Sequence, residues 1–76
     1  MENQLNLSLT KLISTMCNGI VNNHFDARPL YSNLKQRVPN ETQRLDAIIK
    51  IIDEEYHSYY LLILSKLSSF DGSHSK

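Results

Sequence analysis

The residues best equipped for chemistry lie in DEEYHSYYLLIL, residues 53–64. There Glu54 and His57 have the Glu-x-x-His spacing with which di-iron carboxylate bundles hold metal. Residues three apart on a helix share a face, so one carboxylate and one imidazole could meet a common ion. A working centre also needs a second Glu-x-x-His and two further carboxylates pointing inward. The chain holds no second copy of the motif. Other candidates are weaker still. Cys17 is the only cysteine, and His24, His57 and His74 are scattered, so neither a disulfide nor a zinc ligand set can be assembled. Cys17 has no histidine at helical spacing, and no Gly-rich phosphate loop occurs. Enzyme activity, metal and cofactor are therefore not expected.

The elements that would position Glu54 and His57 decide the matter. Leu45, Ile49, Ile52, Tyr56, Tyr59 and Ile63 are spaced 4, 3, 4, 3, 4, a heptad seam held for nearly three repeats, widened at one end by Ile48 and Ile51 and continued less cleanly through Lys66 or Leu67 to Phe70. With Ile52 and Tyr56 on the seam, Glu54 and His57 lie off it, and Asp53, Glu54 and Glu55 read as a solvated flank. No Gly or Pro interrupts residues 41–70. The spacing thus predicts one long helix, about 43 Å at 1.5 Å per residue. It starts at Asn40-Glu41-Thr42-Gln43, which reads as a capping box with a favourable acid in the first turn.

Two shorter helices are expected before it. Leu5, Leu9, Leu12, Ile13, Met16, Cys17, Ile20 and Val21 form one apolar face of a helix over about residues 5–21, capped by Asn3 or Ser8 and closed near Gly19 and Asn22-Asn23. Leu7 lies off that face. A second helix over about 27–38 has Asp26 as N-cap, Pro29 in its first turn, Leu30, Leu34 and Val38 on one face, and Lys35 and Arg37 at its negative pole. The expected architecture is all-α: a single helical domain over residues 1–70 of helices at about 5–21, 27–38 and 41–70, forming a helical-bundle homodimer. Residues 71–76, with Asp71-Gly72 ending the helix, read as a disordered polar tail.

Composition narrows the function. Seventy-six residues bury a modest core, which association would reinforce. Eight acidic and eight basic side chains cancel, which argues against a dedicated nucleic-acid binder. Arg28, Lys35 and Arg37 nevertheless offer a possible polar contact face. The longest apolar run, Tyr59 to Leu64, falls far short of the roughly twenty residues of a membrane span. MENQLNLS lacks the basic and apolar parts of a signal peptide, and a lone thiol fits a reducing compartment, so a cytoplasmic location is expected.

That apolar run is also the most informative stretch. From Tyr59 to Leu64 the helix is apolar all round, as in helices buried on every side. Two short helices offer little cover, so a second chain is the simplest one. Leu45, Ile49, Ile52, Tyr56, Tyr59, Tyr60, Leu61, Ile63, Leu64 and Leu67 are the expected partner or dimer interface.

LISTMCNGIVNN followed by LYSNLKQ resembles the small enterobacterial biofilm and two-component connector proteins of the YmgB type. The resemblance spans about residues 9–52 and rests on Gly19, Val21-Asn22-Asn23, Leu30 and Leu34. It departs at Lys35, where that family usually has an acid, and YYLLILSKL has no counterpart there. It implies a dimeric cytosolic regulator acting on other proteins. The expectation is a small non-enzymatic regulatory or inhibitory protein, of phage, plasmid or stress type, that binds another protein; the alternative is a dimeric DNA-binding regulator using the basic second helix.

Overall fold

The computed structural model describes residues 7–72, which form four α-helices and no strand. Helix α1 spans Leu9–Asn22, α2 Arg28–Arg37, α3 Glu41–Glu55 and α4 Tyr60–Gly72; a single 3₁₀ turn, His57–Tyr59, joins the last two.

The ends of the helices follow local chemistry. Ser8 Oγ accepts from the Lys11 N–H at 3.2 Å and starts α1, four residues later than the periodicity suggested. The expected residues 5 and 6, and Asn3, lie outside the described residues. Asn23 closes α1 at φ 56°, its N–H bonding the Gly19 carbonyl at 2.8 Å, because an Asn tolerates the left-handed region. Asp26 serves α2 from one place further out than expected: Ala27 is the N-cap, and Asp26 Oδ1 accepts from the Arg28 N–H at 3.0 Å. At α3, Asn40 Oδ1 accepts from the Gln43 N–H at 2.9 Å, so the first half of the capping box is formed.

Helix α1 is the hub and packs against α2, α3 and α4. Its buried stripe of Leu12, Ile13, Met16, Cys17 and Ile20 meets Leu30, Tyr31 and Leu34 of α2, Ile48, Ile51 and Ile52 of α3, and Ile63 and Leu67 of α4 in one core. Leu7, off the predicted face, still packs partly buried against this core.

One expectation for the third helix is corrected. It is not continuous: the α-helical ladder ends with the Tyr56 N–H on the Ile52 carbonyl, and Tyr56 leaves the helical region at φ −134° and ψ 35°. The cause is the finite size of one chain. A straight helix from Glu41 to Gly72 would measure about 48 Å, whereas the molecule's longest dimension is 36 Å and α1, at 14 residues, offers about 21 Å of cover. Breaking the helix lets α4 return to α1 and bury Ile63 and Leu67, each worth roughly 1.5–3 kcal/mol.

Within the single chain the core takes only part of the heptad seam. Leu45 and Tyr59 are exposed and Ile49 and Tyr56 half-buried, while Ile52 and Ile63 are fully buried. The buried stripe of α3 is Arg44, Ile48, Ile51 and Ile52, rotated by one residue. Arg44 is the reason. Its Nη1 donates to the carbonyls of Val38 and Pro39 at 3.0 and 3.2 Å, so a charged head satisfies the link after α2 while its stem packs. Its Nε is buried without a partner.

The expected tail begins two residues too early, because Asp71 and Gly72 belong to a helix. Helix α4 includes Asp71, and Asp71 binds two α2 side chains. The rest of the expected tail, residues 73–76, lies outside the described residues. Among the described residues, no helix is long and apolar enough to cross a membrane.

Candidate functional site

The run Tyr59–Leu64 becomes the 3₁₀ turn's last residue and the first turn of α4. A helix built from it has no polar side, and the core can cover only one. Ile63 and Leu67 face the core, and Tyr60 and Leu64 flank them half-buried. Leu61 is left 77% exposed and Leu62 48%, with Tyr59 at 45% beside them in sequence. Ser65, Lys66, Ser68 and Ser69 are also exposed on α4. Leu45 of α3, 36% exposed, lines a cleft of about 280 Å³ with Leu64, Leu67 and Ser68 of α4 and Arg44 of α3. The predicted interface is thus split. Ile52, Ile63 and Leu67 belong to the chain's own core, Ile49, Tyr56, Tyr60 and Leu64 are half-buried, and Leu45, Tyr59 and Leu61 remain at the surface.

The expected polar contact face is largely engaged within the chain. The Arg28 guanidinium grips Asp26, Nε on Oδ1 at 3.0 Å and Nη2 on Oδ2 at 2.9 Å, and this hydrogen bonding holds the Asp26 carboxyl below its usual range. Lys35 Nζ donates to Asp71 Oδ1 at 3.1 Å and lies 5.1 Å from the Tyr31 ring centroid. Arg37 is exposed at the end of α2.

Sequence reasoning missed the cluster that Lys35 joins. The Tyr31 hydroxyl donates to Asp71 Oδ2 at 2.6 Å, and the Tyr31 and Phe70 rings stand 5.8 Å apart. Burial, reinforced by the bond to Asp71, pushes the Tyr31 phenol up to about 12. Partial burial by itself would raise the Asp71 carboxyl, but the Tyr31 and Lys35 hydrogen bonds outweigh it and hold the pKa below the ordinary 3.8. This latch fastens the last turn of α4 to α2. A signal was available in the mid-helix Tyr31 and Lys35, one turn apart, which want an acceptor; the adjacent Gly72 made Asp71 look like an ending instead.

Glu54 and His57 straddle the helix break. Glu54 is in the last turn of α3, His57 opens the 3₁₀ turn, and both are exposed. Among the described residues, no three His, Cys, Asp or Glu side chains gather closely enough to hold a metal ion. Their neighbour Glu55 instead accepts the Ser14 hydroxyl at 2.8 Å and ties the end of α3 to α1. Cys17 is fully buried, and burial first, then the nearby Glu55 charge, pushes its thiol up to about 12, the opposite of an activated cysteine.

No family model, no curated protein and no solved structure matches this chain.

Proposed function

We propose that this chain is a small non-enzymatic regulatory or inhibitory protein of the cytoplasm, which pairs as a homodimer and acts by binding another protein. One observation carries the reading: Leu61 and Leu62 stand exposed in the first turn of a helix whose opposite side is already buried, and Tyr59, just before that helix, is exposed as well. Large apolar side chains grouped in this way mark surfaces that other proteins cover. Leu45 of α3 is also exposed and shares a cleft with Leu64 of α4. The resemblance of residues 9–52 to YmgB-type connectors implies a dimeric regulator and agrees with this.

The DNA-binding alternative has thinner support. Two of the three basic groups on which it relies, Arg28 and Lys35, sit in ion pairs with Asp26 and Asp71, which lowers the charge available for phosphate neutralisation.

Leu61→Asp tests the proposal. Leu61 is largely outside the core, so the variant should melt like the wild type. It should lose capture of the protein that the wild-type chain retains in a cross-linking pull-down. Equal capture by both chains would end the reading.

A further inference from the structure

We infer that two copies of this chain exchange α4 by straightening the α3–α4 break, so that each α4 seats on the other copy's α1 and α2. The inference rests on the homodimer reading for the existence of a pair, and it specifies how the pair is built.

The break has no local cause. No Gly or Pro occurs between Glu41 and Asp71, although sharp interruptions of helices normally occur at such residues. The broken form is also electrostatically poor at this point. Asp53, Glu54 and Glu55 occupy the last turn of α3, with no basic residue among them, where the helix dipole disfavours negative charge. Straightening moves these acids to mid-helix and restores the interrupted ladder of backbone bonds.

What holds the break is tertiary. Ile63 and Leu67 need the α1 core, Asp71 needs Tyr31 and Lys35, and Glu55 holds the Ser14 hydroxyl. A second copy can satisfy the α4 requirements equally well, because it presents the same α1 stripe and the same Tyr31 and Lys35. The straight helix that overruns a 36 Å molecule finds a core along its whole length in such a pair, its own copy's under α3 and the other copy's under α4. One contact is new. Two straightened helices meet at their hinges, where Tyr59, now exposed, continues the 4, 3, 4, 3, 4 seam between Tyr56 and Ile63. The outer face of α4, with Leu61 and Leu62, stays outward and free for another protein.

Proline at the hinge separates the two forms. His57 opens the 3₁₀ turn, where a missing N–H is tolerated, whereas in a straight helix it lies in the interior. Solution mass by light scattering, across a concentration series, is measured for the wild type, His57→Pro, the paired substitution His57→Ala with Ser58→Ala, and Leu61→Asp. Circular dichroism confirms that each is helical. The wild type should dimerise, His57→Pro should weaken the dimer by about a hundredfold or more, the double-alanine chain should strengthen it, and Leu61→Asp should leave it unchanged. A dimer that survives His57→Pro but dissolves in Leu61→Asp would overturn the exchange and keep a homodimer built on the outer α4 face. A wild type and a double-alanine chain that stay monomeric at every concentration would overturn both.

Discussion

At the residue scale, the side chains that matter are those whose polar ends find a partner only after folding. Nothing in the spacing of Arg44 marks it as a core residue, yet it is 8% exposed and closes the link after α2 through two backbone carbonyls. Asp71 reads as part of a tail and proves to be an acceptor for Tyr31 and Lys35. That latch has a pH signature. The Asp71 carboxyl is held below its unfolded pKa, so its contribution is present above the ordinary carboxylate range and is lost as pH falls through the folded value. Tyr31 is shifted the other way, from 10.0 to about 12, so its contribution is complete below pH 10 and is lost as pH rises toward 12. Urea unfolding of Asp71→Asn should show lower stability than the wild type at neutral pH, with the gap closing as acid protonates Asp71. A gap that stays constant down to acid pH would mean that the ionised carboxylate is not what the latch uses.

At the element scale, helix starts are set by single caps. Asn40 follows Pro39, which ends the preceding segment, and its side chain receives one of the four N–H groups that no helical carbonyl serves. Asn40→Ala should therefore lower stability by about 1 kcal/mol, and Asn40→Asp by much less, because the carboxylate can take the same bond and suits the positive pole. Chemical denaturation of the three chains checks this, and equal midpoints would remove Asn40 as the determinant of α3. The other end of α3 has no comparable stop signal. Its termination at Glu55 reflects where α4 must turn back, which is why the periodicity of residues 45–63 suggested one helix and the folded chain contains two.

At the scale of the whole molecule, α1 touches every other helix, and Cys17 lies near its middle with no exposed surface. Removing any neighbour opens the core that surrounds the thiol. Labelling of Cys17 by a thiol reagent at neutral pH should consequently be slow in the native chain and require at least one packed helix to undock, with rates that rise as urea is added. Rapid labelling of the native chain would instead reveal a local opening of α1. The same central placement explains why α4 can be the element that exchanges: it contributes Ile63, Leu67 and the Asp71 latch at the edge of the core, whereas α1 is its centre.

The all-helical class, the start of α3 at Asn40, the close of α1 at Asn23 and the apolar stripe of α1 were legible in the chain because each depends on neighbours within about one turn. So was the excess of apolar surface around Tyr59–Leu64. The helix break, the rotation of the α3 face toward Arg44, the Tyr31–Lys35–Asp71 latch and the choice of Leu61 and Leu62 as the exposed pair were decided only by tertiary structure. Each depends on how much surface one short chain can cover, and on which distant carbonyls and carboxylates it brings within hydrogen-bond reach. Spacing along a sequence records neither.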